Sequence, residues 1–438
     1  MSQVPKPIAS PVYVQDRLNQ EIDLGAREIS LLADGISEIV QARAIMVFEP
    51  DDNVEFRIPF SALSEALRHR VEGGKTPTAA FHGETLLLLN ASPTEGLTFA
   101  PGSLPVATLA DTPQLQHVTF HLLNFPPFRR SVDRICEPSS FHMTLRVGDW
   151  RVTVSEVERA SSLRQQMGIR EGLAITHAGC IEKSDGAMFA SREVFHILGD
   201  LSRFFSFIAA KNTEVFLPVG CNQEGQQIWE ELGLSVEDSP HLAGELSLLT
   251  EEGTETVIEV FPGFIGLLND RLWRMTICNA LDWYTQASLP GVYLQTAIVL
   301  GQIALELLAW TYCVEDRKMI SREGFRKLNA SDKLRILYSG LGIPACIPRD
   351  MEWLVRWAKI NRISDTPQVL TEVRNSIVHP IRRNTSEDYC ALYEDCRYLA
   401  VLVLKAAFVA LARQFKPSPA RVFDWDELRR KSSRRPKP

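Results

Sequence analysis

Thr250-Glu251-Glu252-Gly253-Thr254-Glu255-Thr256 is the stretch at which the hydrophobic period of the chain changes. Before it, short apolar or alternating runs are punctuated by turn residues, as in Ala44–Phe48, Val54–Ile58, Thr85–Leu89 and Val118–Leu123, the pattern of β-strands. After it, apolar residues recur every three or four positions, which predicts helices near 263–287, 290–315, 330–341, 350–362, 366–379 and 386–414. The fold class expected from this switch is α+β: a β-rich N-terminal region, residues 1–255, followed by an all-α bundle, residues 256–416. Residues 417–438 carry Pro417, Pro419 and the basic cluster Arg429-Arg430-Lys431, and read as a flexible basic tail.

Within the first region, Met143–Val147 and Arg151–Val154 flank Gly148-Asp149-Trp150, which predicts a hairpin. Val194, Leu198, Leu201, Phe205 and Ile208 recur at helical spacing and predict a helix from Arg192 to Ala210. A strand pair, Val215–Val219 and Gln226–Trp229, is expected to close the region.

A chain of 438 residues exceeds what one core organises, so two or three domains are expected. Hydrophobic residues at 45% supply a large interior, and a net charge of -7 excludes a surface that binds polyanions everywhere, so any nucleic-acid site must be a local basic patch. The eight cysteines show no C-x-x-C pair, which favours reduced thiols over a disulfide framework or a zinc site and points to the cytoplasm. Met1–Gln15 contains Pro5, Pro7 and Pro11 and lacks the apolar run of a signal peptide. Leu294–Trp310 and Tyr398–Phe415 are apolar enough to consider as membrane spans, but the first holds Gln295, Gln302 and Glu306 and the second Lys405 and Arg413. Both read as core helices, and no membrane partner is expected.

Chemistry concentrates in Arg374-Asn375-Ser376-Ile377-Val378-His379, inside the helix predicted at 366–379. Arginine clamps phosphate through planar, permanently charged donors, and histidine moves protons near neutral pH, a pair suited to phosphodiester cleavage. The Arg-to-His spacing alone is common by chance; asparagine directly after the arginine makes the string rarer. At 100° per residue, Leu370, Val373 and Ile377 share the core face, Arg374 flanks it, and Asn375 and His379 line up on the opposite side. Pro380 ends or kinks the helix at His379, and a helix C-terminus favours the imidazolium needed by a general acid. Arg382 and Arg383 add positive charge where a phosphate would sit, as substrate-binding candidates. Glu306 on a preceding helix is a candidate supporting partner for Arg374, with Glu372 as the alternative. These residues also admit a purely structural account, an exposed histidine and an ion-paired arginine.

An Arg-Asn-x-x-x-His string on a late helix of a C-terminal bundle, with two long helices before it and one after, resembles the HEPN superfamily. The resemblance covers about the last 180 residues. A β-rich first half joined to such a bundle is similar to the ApeA-type abortive-infection proteins of bacteria, on architecture alone. The resemblance implies a metal-independent endoribonuclease without cofactor, acting on RNA as a homodimer through the C-terminal helices, with Arg374 and His379 catalytic and Asn375 supporting. It also implies an anti-phage role in which a phage protein or other trigger acts on the N-terminal region. Two rivals stay open: a non-catalytic HEPN-like interaction and dimerisation module, and an enzyme of another class housed in residues 1–255.

Other signals are weaker. Gly73-Gly74-Lys75-Thr76 ends like a phosphate-binding loop, but position 69, where that pattern needs glycine, is His69. His117 and His121 share one face of a predicted strand without a third ligand nearby, so a solvent-facing strand surface is expected there. Phe125-Pro126-Pro127-Phe128 reads as a turn carrying two core phenylalanines.

Overall fold

The computed structural model describes residues 11–48, 53–81, 84–92, 94, 96–101, 106–107, 114–128, 142–232, 247–251, 253–379 and 389–415. Its architecture is α+β, with two β-sheets followed by a helical bundle.

The first sheet is a closed barrel of β1 (Ile22–Ala33), β2 (Ile36–Val47), β3 (Asn53–Ile58), β6 (Gly96–Pro101), β5 (Glu84–Ser92) and β4 (Thr78–Phe81), in that order around the wall. Its longest hairpin, β1 to β2, turns at Asp34-Gly35, both with positive φ, the two-residue turn that matches the twist of paired strands. Ile29, Leu31, Ala42, Ala44, Phe56 and Phe99 fill the interior, as alternation dictates.

The second sheet has seven described strands in the order β7 (Val106–Ala107), β13 (Gln227–Leu232), β12 (Phe216–Cys221), β8 (His117–Leu123), β11 (Ile175–Lys183), β10 (Trp150–Glu156) and β9 (His142–Val147), all antiparallel. The expected hairpin is β9 to β10, with Val147 opposite Trp150 across a Gly148-Asp149 turn. Helices α1 (Glu65–Glu72), α2 (Ala160–Met167) and α3 (Ser191–Ala209) accompany these sheets.

The bundle follows: α4 (Leu248–Glu251), α5 (Gly253–Asn269), α6 (Arg274–Ser288), α7 (Leu294–Trp310), α8 (Arg322–Lys327), α9 (Ala330–Leu341), α10 (Glu352–Ile360), α11 (Thr366–Val378) and α12 (Tyr389–Phe415). The single helix expected at 263–287 is two helices. Asp270 accepts from the backbone N–H groups of Leu272 and Trp273 at 2.8 and 3.0 Å, an Asx turn that stops α5 and restarts the chain as α6. At the end of α7 the backbone widens into a π-helical turn, Thr311–Asp316.

Helix α3 joins the second sheet to the bundle. The Phe207 ring stacks on Phe264 of α5 with centroids 5.0 Å apart, Phe204 meets Phe261 edge-on at 4.8 Å, and Phe207 also touches Phe408 of α12 at 5.3 Å. All five rings are essentially buried, and burying each contributes about 2–3 kcal/mol. One apolar core therefore runs from the sheet into the bundle, and Glu255 lies within the first turn of α5. Two helical stretches, Leu294–Asp316 and Tyr389–Phe415, are long and apolar enough to cross a membrane, yet 67% and 78% of their most apolar windows are buried within the protein.

The face of β8 bearing His117 and His121 does not face solvent as expected. His121 is fully buried and His117 half-buried, because β8 lies at the centre of the sheet and the N-terminal segment crosses over it. The backbone N–H groups of Val12 and Tyr13 donate to His121 Nε2 at 3.1 and 3.2 Å. Nδ1 lies 3.3 Å from the carbonyls of both Phe216 and Leu217, where a bulge in β12 and a left-handed Leu217 (φ 44°) turn two successive carbonyls toward the ring. Nε2 accepts, so Nδ1 carries the proton. Phe125 is buried as expected, and Phe128 packs against the core.

Candidate functional site

Helix α11 begins where the Asp365 carboxylate accepts from Gln368 N–H at 3.0 Å, with Pro367 in the first turn. Arg335 of α9 grips the same carboxylate at 2.6 and 3.1 Å, which anchors the helix start. The core stripe holds Val369, Leu370 and Val373, all essentially buried, and Ile377 is half-buried against it. The helix ends at Val378, and His379 caps it with a non-helical backbone, its N–H donating to the Asn375 carbonyl at 2.9 Å. This is the stop that Pro380 imposes on the residue before it.

The structure brings Arg374, Asn375 and Glu306 together. Arg374 Nη2 donates to Glu306 Oε1 of α7 at 3.2 Å and Nη1 donates to Asn375 Oδ1 at 3.1 Å. Glu306, not Glu372, is thus the partner; Glu372 is exposed. The Arg374 side chain is 24% exposed, and these two contacts engage two of its five N–H groups, so part of the guanidinium still faces outward. His379 is exposed one turn beyond Asn375, about 7.5 Å further along the axis than Arg374. Arg382 and Arg383, like the basic tail at 417–438, lie outside the described residues.

Sequence reasoning passed over two residues behind this cluster. Gln302, 1% exposed and one turn before Glu306, donates through Nε2 to Glu306 Oε1 and to Thr371 Oγ1, both at 3.2 Å. Thr371, buried on α11, donates its own hydroxyl to the Pro367 carbonyl at 2.8 Å. A polar chain therefore runs Thr371, Gln302, Glu306, Arg374, Asn375 from inside the bundle to its surface. A polar residue on α7 in register with Glu306 was the signal for Gln302; Thr371 left none, because threonine on a core face is ordinary. Lys405 of α12 is also buried, and burial pushes its ammonium down to about 7. Among the described residues no group of three or more His, Cys, Asp or Glu clusters closely enough to hold a metal ion.

Comparison with known proteins gives likeness in the same two regions. Residues 110–240 match the model of the YopA central domain and residues 270–405 that of the YopA C-terminal domain. The chain is 28% identical over 267 residues to the SPbeta prophage-derived uncharacterized protein YopA of Bacillus subtilis (strain 168), an alignment covering 59% of each chain. The chain thus spans under two thirds of that relative's length. No solved structure matches. The second match contains Glu306, Arg374, Asn375 and His379; neither description names an activity.

Proposed function

We propose that the C-terminal bundle is a metal-independent endoribonuclease of the HEPN type, working in the cytoplasm as a homodimer and serving as an anti-phage abortive-infection effector or toxin. The observation that carries this reading is the end of α11: an arginine oriented by Glu306 and Asn375 stands at the surface, and an exposed histidine follows on the next turn. The reaction is a transesterification. The ribose 2′-hydroxyl attacks the adjacent phosphorus, the bond to the 5′-oxygen breaks, His379 transfers a proton, and Arg374 stabilises the charge on the non-bridging oxygens. The products carry 2′,3′-cyclic phosphate and 5′-hydroxyl ends. An active ribonuclease endangers its own cell, and the N-terminal region restrains or triggers it. The core that α3 shares with α5 and α12 gives such control a physical route.

The alternative, a HEPN-like module for interaction and dimerisation without catalysis, draws on the same ion pair, since Arg374 could serve only to hold α11 against α7. Sequencing RNA ends after controlled expression separates the two. The ribonuclease reading expects new 2′,3′-cyclic phosphate ends with the wild-type chain and none with His379→Ala; no new ends from either chain would favour the interaction module, and new ends from both would take His379 out of the chemistry.

A further inference from the structure

Gln302 is a poor choice for stability alone. Its side chain is buried among apolar neighbours on α7, and its Oε1 has no hydrogen-bond partner, a cost that leucine or methionine would not carry. The amide cannot simply turn over to relieve it. The Thr371 hydroxyl proton is committed to the Pro367 carbonyl, so Thr371 Oγ1 offers only lone pairs, and Glu306 Oε1 is an acceptor as well. Both neighbours demand the NH2 group, and the carbonyl oxygen is left over.

The arrangement thereby fixes Glu306. Its Oε1 accepts from Gln302 Nε2 on the interior side and from Arg374 Nη2 on the outer side, each at 3.2 Å. Glutamate and arginine side chains that are only partly buried sample several rotamers, and a pair of them alone would hold the guanidinium loosely. A buried amide anchored to a second helix removes that freedom from the carboxylate, and through it from the arginine.

We infer that Gln302 and Thr371 are positioning residues for Arg374, acting through Glu306 to set the guanidinium in the orientation its phosphate contact requires. Their role in cleavage rests on the ribonuclease reading; their effect on Arg374 does not. Neither residue meets the substrate, because both are buried.

The test uses the full chain with Gln302→Met, which keeps the volume and removes the amide, and with Thr371→Val and Thr371→Ser. The first readout is NMR of nitrogen-15-labelled arginine, with the Arg374 guanidinium identified by its loss in Arg374→Lys. Separate Nη signals, the mark of a guanidinium that does not rotate freely, should be present in the wild type and merge in Gln302→Met and Thr371→Val, while Thr371→Ser, which keeps the hydroxyl, restores them. The second readout is RNA cleavage. Gln302→Met should lower kcat by about ten- to a hundredfold with the melting temperature unchanged or raised, and should add nothing in a Glu306→Ala background. Arg374 signals unaltered in Gln302→Met overturn the inference, whatever the RNA shows. Merged signals in a protein that cleaves no RNA uphold the positioning and sink the ribonuclease reading instead.

Discussion

Arg374 on α11 and Glu306 on α7, 68 residues apart in the chain, meet at 3.2 Å, so the motif arginine is held by a carboxylate from a different helix rather than by one on its own. Arg374→Ala and His379→Ala should each lower cleavage by about 10²–10⁴-fold. Both residues lie off the stripe of Leu370 and Val373, so far-ultraviolet circular dichroism and the melting temperature should change little. A fully active variant of either kind, measured where the wild type cleaves, removes that residue from the mechanism.

Dialysis against EDTA should leave cleavage unchanged, because in the proposed chemistry protein side chains, Arg374 and His379 among them, stabilise the charge and move the proton. Strict dependence on added magnesium would assign the reaction to different groups.

Stability should respond to pH through His121. Burial pushes its pKa down to about 4 from 6.5, against the smaller upward effect of the Phe216 and Leu217 carbonyls. Above pH 6.5 folded and unfolded chains both hold it neutral. Below that, the unfolded chain binds a proton that the folded one refuses until about pH 4, so stability is lost as pH falls across this window, about 3 kcal/mol in all. His177, buried and likewise pushed down by burial, adds in the same direction. Urea midpoints measured between pH 4 and 7 should slope less steeply in His121→Gln. An unchanged slope would show that the ring does not refuse the proton.

Much of this architecture was legible and some was not, for identifiable reasons. The change of period near Thr250 reports burial geometry directly, and α9, α11 and α12 begin and end close to where periodicity and Pro380 place them. The break between α5 and α6 escapes the pattern because the apolar period carries across Asn269-Asp270-Arg271, from Leu267 and Leu268 to Leu272 and Trp273. The β1 to β2 hairpin depends on Asp34-Gly35, a strong turn signal that apolar runs alone do not reveal. His121 shows the deeper limit. Alternation gives the face of a strand, but whether that face is wet depends on what crosses it, here Val12 and Tyr13 more than a hundred residues earlier in the chain. The site divides the same way: Arg374, Asn375 and His379 form a local string, whereas Gln302 and Thr371 become a pair only when α7 packs on α11.

Helices α5 and α12 approach closely at Gly263, where an added Cβ would lie 1.8 Å from the Ala412 carbonyl oxygen. Gly263→Ala must therefore push apart helices that Arg413 and Glu259 also join at 3.1 Å, at a cost of about 3 kcal/mol. Gly199→Ala on α3, where an added Cβ meets nothing within 4 Å, is the control and should be neutral or slightly stabilising. Calorimetry showing equal melting temperatures for the two variants would contradict the packing of α5 on α12.

A single chain presents one Arg374 and one His379 at the end of α11, too few groups to hold a phosphate, orient a 2′-hydroxyl and protonate the leaving oxygen. A two-fold axis near this helix end doubles the set, because the same patch meets itself. The full chain is the right material, since residues 256–438 alone would uncover Phe261, Phe264 and Phe408 where α3 now covers them. Light scattering should give a dimer of the 49.2 kDa chain. Mixing inactive Arg374→Ala and His379→Ala chains should restore part of the cleavage if each cleft takes its arginine from one subunit and its histidine from the other. If each cleft instead uses a complete pair from one chain, the mixture stays inactive while the wild type remains dimeric. A wild-type chain that cleaves RNA as a strict monomer would sink the shared-cleft model altogether.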